Sequence, residues 1–335
     1  MSAAHLWTLS DLCTPWCIHV VATLRIANHI DAGIEEIDKL AVTAQCNPDV
    51  LHSVLGHLVS RGVFEEPRPG RFALNDTARG LLDPALHLGL DLEGIGGRMA
   101  YAWSTLLVYV RRGVPAYNEV FGQPFWEDLD AHPQIAAKFD ALIGPEGHGA
   151  PNPEFQITGG WDAVQTVVDV GGGTGAMLTE ILSTHPHIRG TLVDLPRTVA
   201  RAAKTFESAG LTDRVVTIGR SFFDPLPTGA DLYLLRGVLN DWPDREAIAI
   251  LSRCAKAASP AGRVIVLKSV GADGTPKTLT IEMVLLGGKH RSLAEFRELA
   301  RHSGLDIVAT GPQSSGYFVV ECGRTNSLPR ELPSQ

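Results

Sequence analysis

The stretch TVVDVGGGTG, residues 166–175, decides the fold. A β-rich run predicts a buried strand, and the glycines behind it predict a tight loop that leads into a helix. Four more short β-rich runs follow along the chain, with helical stretches between several of them: GTLVDL, RVVTIG, DLYLLR and RVIVLK. This alternation predicts an α/β fold with a Rossmann-like, doubly wound and mostly parallel sheet.

The spacing of the glycines indicates the ligand of this loop. Residues 171–175 read GGGTG, a G-x-G-x-G spacing with Gly171, Gly173 and Gly175 at its fixed positions, and Asp194 ends the next strand. A carboxylate about 20 residues after such a loop accepts the hydrogen bonds of a ribose diol. The pattern lacks the G-x-G-x-x-G of dinucleotide enzymes and favours an adenosine ligand without a pyrophosphate. Ser221 and Phe222, after the third strand, are placed to hydrogen-bond and stack on an adenine. The alternative is a tight turn with a capping Asp.

The end of the sheet has its own signal. The last two strands, near LDIVAT and YFVVEC, are joined by a turn at residues 311–316 that is too short for a crossover helix. The last strand is therefore predicted to run antiparallel. Past Gly323 the polar tail is predicted to be disordered.

The N-terminal part predicts helices followed by a hairpin. A helix is predicted from about Pro15 to Ile30, and Asn47 and Pro48 are typical of the start of a later one. Three helices and a hairpin around PRPG predict a winged helix. We expect four segments: a winged-helix dimerisation domain at 1–95, a helical linker and substrate-pocket segment at 96–160, a cofactor-binding catalytic domain at 161–323 and a tail at 324–335.

Composition narrows the partners. The 335 residues carry a formal net charge of −8, which favours neither nucleic acid nor anionic lipid. The candidate DNA-reading helix offers only Arg61 and two histidines to phosphates. The N-terminus has neither a basic leader nor an unbroken apolar span, so we expect a cytoplasmic protein. Five cysteines without C-x-x-C spacing argue against disulfides and a zinc site, and no metal is expected.

Large side chains around residue 100 and beyond suggest either core packing or the walls of a flat apolar pocket. For a substrate site we predict Tyr101, Trp103, Phe125, Trp126, Phe139 and Met283. A small aromatic substrate fits this composition.

Three segments together resemble a known family: VVDVGGGTG with TLVDLPR, RSFFDPLPTGADLYLLRGVLNDWPD, and GGKHRSLAEFRELARHSGL. They are similar to the S-adenosylmethionine-dependent small-molecule O-methyltransferases, which include plant phenolic and bacterial antibiotic-tailoring enzymes. The resemblance covers nearly the whole chain and implies a homodimer formed through the winged helix. It implies S-adenosyl-L-methionine as the cofactor, held by a set of residues at the strand ends: Asp169, Gly171, Gly173, Gly175, Asp194, Leu195, Ser221, Phe222, Arg236 and Trp242.

The family's catalytic pattern is altered at three positions. The family places a His before Asp-Trp as the base and flanks it with two Glu residues; here these positions hold Asn240, Lys268 and His290. An asparagine cannot accept a proton at neutral pH, whereas a histidine can. We therefore predict His290 or the substrate's own acidity in place of the base, Asn240 as an orienting group, and Lys268 paired with a substrate anion. The alternatives are a surface histidine and a lysine that extends into solvent.

The sequence predicts O-methylation of a small aromatic or polyketide-like natural-product intermediate. Loss of all three family residues keeps a second function open, in which the fold binds S-adenosylmethionine but catalyses hydroxylation, cyclisation or isomerisation. A third is a ligand-binding regulator that uses the winged helix.

Overall fold

The structure, a computed structural model, describes residues 3–148, 150–313 and 316–325. Its chain divides into two compact units. The first comprises Met1–Ser104 and Trp126–Gly149, and the second Thr105–Phe125 and Ala150–Gln335.

The elements before residue 149 are mainly helical, with one hairpin. In chain order they are α1 (Ala3–Leu9), α2 (Cys13–Thr23), α3 (Ile26–Asp31), α4 (Ile37–Thr43), α5 (Pro48–Ser60), β1 (Phe64–Arg68), β2 (Arg71–Leu74), α6 (Asp76–Arg79), α7 (Pro84–Leu90), α8 (Ile95–Ala102), α9 (Leu106–Arg112), α10 (Tyr117–Phe121), α11 (Phe125–Ala131), α12 (Pro133–Ile143) and α13 (Pro145–His148). Of these, α9 and α10 belong to the second unit.

The first unit confirms the predicted helical N-terminal region. Helix α5 begins where the sequence indicates, because the Asn47 side chain accepts a hydrogen bond from the Val50 N–H and Pro48 occupies the first turn. Strands β1 and β2 pair antiparallel behind it. The helix predicted from Pro15 to Ile30 is instead two helices, since Arg25 adopts a left-handed φ of 55° that interrupts α2 from α3.

The second unit continues with strands and helices that alternate. They are β3 (Thr166–Val170), α14 (Ala176–Thr184), β4 (Arg189–Asp194), α15 (Pro196–Ser208), β5 (Val215–Gly219), β6 (Leu232–Arg236), α16 (Asp244–Ala257), β7 (Arg263–Leu267), β8 (Val270–Gly271), α17 (Ile281–Leu286), β9 (Arg291–Ser292), α18 (Leu293–His302), β10 (Leu305–Pro312) and β11 (Phe318–Arg324). A short 3₁₀ turn, Leu239–Asp241, follows β6.

The seven-stranded sheet has the order β10-β11-β7-β6-β3-β4-β5 and confirms the predicted doubly wound fold. Strands β3 to β7 pair in parallel, whereas β11 runs antiparallel to both β7 and β10, as predicted. Alternate residues of β3 face two separate cores: Val168 and Val170 one of them, and Val167 the other. The order reverses beside β3, which is where open α/β sheets bind ligands.

Strand β11 extends to Arg324, and the Thr325 N–H donates to the Gly304 carbonyl. The rest of the predicted tail, residues 326–335, lies outside the described residues. Among the helices that are described, none has the length and apolar character to cross a membrane.

Candidate active site

The loop between β3 and α14 has the backbone that its glycines permit. Gly171, Gly173 and Gly175 have φ values of 70°, 62° and 81°, in the left-handed region where side chains are strained. A Cβ at Gly175 would lie 2.4 Å from Phe206, but a Cβ at Gly173 would meet nothing within 4 Å. Gly173 therefore presents bare backbone to open space, as a loop that receives a ligand requires.

Asp194 is tied to this loop. Its Oδ2 accepts the Gly173 N–H at 2.8 Å, and its Oδ1 accepts the Leu195 N–H at 2.7 Å. Burial raises the pKa of the Asp194 carboxyl, while these two N–H groups and the Thr198 hydroxyl oppose that rise. An ionised carboxylate has about four acceptor sites, so it keeps capacity for a ribose hydroxyl.

The aromatic side of the site lies beside the first glycine. A Cβ at Gly171 would lie 3.3 Å from the Phe222 ring and 2.9 Å from Val238. Phe222 meets Trp242 edge-on, with ring centroids 5.9 Å apart, and the Ser221 hydroxyl accepts the Phe223 N–H at 3.2 Å. The structure thus brings Phe222 to the glycine loop, and the adenine contacts of Ser221 and Phe222 stay a prediction.

Asp169 and Arg236 test whether the site suits a charged cofactor. Asp169 is buried, and burial raises the pKa of its carboxyl to about 7, opposed by the nearby Arg236 charge. In the described part of the chain, Asp169 Oδ2 and Arg236 Nε are buried without a hydrogen-bond partner. Buried polar atoms are nearly always paired. The ammonium and carboxylate of S-adenosylmethionine are groups that would pair them, so the residues fit this cofactor.

Asn240 lies in the 3₁₀ turn between Val238 and Trp242. Val238 lies next to Gly171 of the cofactor loop, and the Trp242 ring meets the Phe222 ring. Asn240 Oδ1 accepts the Ser269 hydroxyl at 3.0 Å, and its Nδ2 donates to Asp241 Oδ1 at 2.9 Å. The amide is therefore held at both ends. Ser269 is 1% exposed, and the sequence reasoning missed it because the neighbouring Lys268 aligned with the family's Glu.

Asp241 is a second residue that the sequence reasoning did not single out. Burial raises the pKa of its carboxyl to about 8, and the charge of Glu282 on α17 adds to the rise. At neutral pH the carboxyl is mostly protonated. The Asp-Trp pair of the motif could have pointed to it, but burial becomes visible only when α17 packs against the turn.

The backbone of Lys268, directly after the end of β7, departs from the extended conformation of a strand. Lys268 has a left-handed φ of 61°, although it is not a glycine. Its Nζ lies 5.8 Å from the centroid of the Tyr317 ring, and Arg236 Cζ lies 6.0 Å from the same centroid. Burial, followed by the Arg236 charge, lowers the pKa of the Lys268 ammonium. Among the described residues neither cation has an ion pair, so Lys268 and Arg236 form a two-cation site beside Tyr317.

The segment before α18 packs directly on the Asn240 turn. Gly288 is required there because a Cβ would lie 2.1 Å from the Asn240 carbonyl oxygen. The buried Arg291 donates to the carbonyls of Leu239 and Trp242 at 2.6 and 2.7 Å. His290 precedes it, exposed, and its ring makes no hydrogen bond or ion pair within the described ranges. Its role as base stays a prediction.

The predicted substrate residues fall in both units. In the first, Tyr101 packs on Trp16 with centroids 5.1 Å apart, and Trp126 meets Phe139 edge-on at 5.8 Å. In the second, Phe125 is buried against Tyr117 at 5.4 Å. Trp103 is 41% exposed, and Met283 is half-buried on α17. Their role as pocket walls stays a prediction.

The sheet order, with the glycine loop hydrogen-bonded to Asp194 beside the switch point, defines the class of Rossmann-like methyltransferases that bind S-adenosylmethionine. Comparison with known proteins gives the family. The O-methyltransferase domain family matches residues 103–306, and the chain belongs to it.

Relatives along nearly the whole chain agree. The 2,7-dihydroxy-5-methyl-1-naphthoate 7-O-methyltransferase of Streptomyces carzinostaticus is 39% identical over 93% of this chain and 96% of its own. Aclacinomycin 10-hydroxylase of Streptomyces purpurascens is 38% identical over 90% of this chain and 83% of its own.

Among solved structures, an O-methyltransferase from neocarzinostatin biosynthesis was crystallised with S-adenosylmethionine and 2-hydroxy-5-methyl naphthoic acid. It matches with a TM-score of 0.88 and 38% identity, covering 95% of this chain and 98% of that one. The chain is accordingly an enzyme of the methyltransferase family with S-adenosylmethionine as its cofactor.

Proposed function

We propose that the protein transfers a methyl group from S-adenosylmethionine to a hydroxyl of a small aromatic natural-product intermediate. The observation that carries this proposal is the cofactor site, where Asp194 accepts the Gly173 N–H and where, among the described residues, the buried Asp169 Oδ2 and Arg236 Nε lack the partners that S-adenosylmethionine would supply. The naphthoate, phenazine and mitomycin O-methyltransferases among the relatives support an aromatic acceptor.

The cofactor supplies an electrophilic methyl group on a sulfonium, and the residues of this chain bind and orient. Asp194 and Gly173 would hold the ribose, and Phe222 would stack on the adenine. Asp169 and Arg236 would take the amino and carboxylate groups. With both reactants aligned, proximity contributes about 7–11 kcal/mol, more than a general base usually does.

Asn240 would act on the acceptor as a hydrogen-bonding group. Its Nδ2 has two hydrogens, one of which is donated to Asp241, so the second can bind the acceptor oxygen. That bond favours the phenolate over the phenol. The proton that leaves the hydroxyl goes to solvent or to His290, whose side chain is exposed.

The two-cation site of Lys268 and Arg236 suggests the acceptor's substituent. Asp169 lies near Arg236, but among the described residues Lys268 has no acidic partner, so its ammonium favours an anion beside it. We propose that Lys268 binds a carboxylate of the acceptor, which places the substrate among aromatic hydroxy-acids. The naphthoate named for the first relative is an acid of this kind.

Hydroxylation is the second candidate, and a specific observation favours it. The 10-hydroxylase relative is 38% identical, one percentage point below the naphthoate methyltransferase. Asn240 removes the usual base from the methyl-transfer site, which is compatible with either reaction.

A turnover assay separates the two. The enzyme is incubated with isotopically methyl-labelled S-adenosylmethionine and a panel of phenolic and hydroxy-carboxylic aromatic acids, and products are analysed by mass. Methyl transfer places the label in a product that has gained a CH₂ unit. A product that gains one oxygen without the label, or a consumed substrate without mass gain, contradicts the proposal.

The assembly and location complete the proposal. We propose a homodimer formed through the helices and hairpin of the first unit, working in the cytoplasm without nucleic acid. All five cysteines are free thiols, which suits a reducing compartment. Light scattering measures the molar mass of the assembly.

A titration with duplex DNA at low and high salt tests the alternative that the protein is a ligand-binding regulator, for which salt-sensitive binding would be required.

A further inference from the structure

Three metal-binding side chains converge in the first unit, on the helices α2 and α5 that pack together. Cys13 and Cys17 are one helical turn apart on α2, and His57 lies in the last turn of α5. One ligand atom from each lies within 4.8 Å of the other two. The proposed methyl transfer uses none of these residues.

The distance between the two sulfurs is the one that a tetrahedral metal requires. Zinc–thiolate bonds of about 2.3 Å at a tetrahedral angle separate two sulfurs by about 3.8 Å. Cys13 Sγ and Cys17 Sγ lie 3.9 Å apart. A disulfide would need about 2.0 Å. The two thiols are therefore spaced for a shared metal ion and would have to move to bond to each other.

The surroundings order two of the three residues, Cys13 and His57, as outer-shell residues do at metal sites. His57 Nε2 lies 2.9 Å from the Thr14 hydroxyl, and that hydroxyl donates to Asp11 Oδ2 at 2.5 Å. The other oxygen of Asp11 accepts the Cys13 N–H at 2.9 Å. One carboxylate thus orders both a thiol-bearing backbone and the imidazole.

We propose that Cys13, Cys17 and His57 bind one Zn²⁺ ion that ties α2 to α5. Two thiolates and one neutral imidazole suit zinc, and water takes the fourth position. Each thiol releases its proton to solvent when the metal binds. Cys13 is exposed, so the ion has a path to the site. The sequence argued against zinc because helical i, i+4 spacing lacks the C-x-x-C pattern.

The test measures zinc on the reduced, full-length protein after chelator treatment, by competition with a chromophoric chelator. Wild-type protein should bind one equivalent of Zn²⁺. Cys17→Ser and Cys13→Ser should each bind at least about 100-fold more weakly, since even outer-shell losses cost 10–100-fold. Cys46→Ser is the matched control, a half-buried cysteine of the same unit outside the cluster, and should bind like wild type.

Cobalt(II) provides an independent readout. Wild type and Cys46→Ser should show a sulfur-to-cobalt charge-transfer band with tetrahedral d–d bands, and Cys13→Ser should lose most of the charge-transfer intensity. Cys13 is exposed, so its variant should fold even if Cys17→Ser does not. Zinc-free wild type after loading, or equal affinity of Cys13→Ser and wild type, overturns the proposal. Neither result bears on the proposed methyl transfer, which uses none of these three residues and is tested by its own assay.

Discussion

The glycine loop with Asp194 and the Asn240 turn lie on neighbouring strand ends, yet they differ in what determines them. In the loop, left-handed glycines and one carboxylate fix the geometry through local bonds, such as Gly173 N–H to Asp194. In the turn, Asn240 is positioned by Ser269, which lies 29 residues away in the chain. The cofactor side thus follows from local sequence, whereas the acceptor side depends on partners that only folding brings together.

The largest effect is expected on cofactor affinity, from a substitution at Gly173 in the cofactor loop. Gly173→Ala adds a methyl group to the open space that receives the cofactor, so S-adenosylmethionine should bind about 10- to 100-fold more weakly, as a steric cost of about 1–3 kcal/mol implies. Gly210→Ala is the matched control: it too has a positive φ, of 68°, and open space around its Cβ. Calorimetry should show normal cofactor affinity for Gly210→Ala. Equal losses in both variants would assign the effect to backbone strain.

The cofactor loop and the acceptor side also differ in how much of each could be predicted from the sequence. The strand run, the glycine spacing and Asp194 are periodic or local signals, so the sheet and the cofactor loop could be predicted. A lysine does not favour a left-handed φ, so the backbone conformation of Lys268 could not be predicted from its residue type. In this conformation the Lys268 side chain lies near the Tyr317 ring, and the Ser269 hydroxyl donates to Asn240 Oδ1. Burial of Asp241 likewise depends on α17. Long-range packing therefore sets what the pattern could not.

The next effect tests whether the acceptor side keeps a base. If His290 accepts the phenolic proton, His290→Ala should slow turnover at least about tenfold at neutral pH, the usual worth of a general base. His302→Ala is the control, another exposed histidine of the same unit. Steady-state rates at saturating cofactor decide between them. An unchanged rate for His290→Ala would leave proton removal to the acidity of the acceptor.

A smaller effect, on the KM of the acceptor, is expected at Lys268. Lys268→Gln should raise the KM of a hydroxynaphthoic acid by roughly three- to tenfold, the range for one charge-assisted bond of an exposed lysine, and leave the KM of its methyl ester unchanged. Lys256→Gln, at an exposed lysine near the end of α16, should change neither. Equal changes for acid and ester would show that Lys268 does not bind the carboxylate.

The smallest effect concerns stability, and it follows from the raised pKa of Asp241, about 8 in the folded chain against an ordinary value of 3.8. A carboxyl with a raised folded pKa favours folding while it is protonated in both states, below about pH 4, and this contribution is lost as the pH rises through 8. Asn cannot ionise. The Tm of wild type should therefore fall relative to Asp241→Asn between pH 5 and 8, by on the order of 3 °C.

Other groups titrate in the same window, Asp169 among them, because burial raises the pKa of its carboxyl to about 7. Asp169 is present in both proteins, so the difference between the two Tm profiles isolates Asp241. Asp224→Asn, at an exposed carboxylate of the same unit, controls for the loss of one charge and should give a difference that does not vary with pH. A pH-independent difference for Asp241→Asn as well would mean that this carboxyl ionises normally. The acceptor side would then be as open to water as the exposed His290, and Asn240 Nδ2 would donate to an ionised carboxylate, a stronger acceptor than the protonated acid.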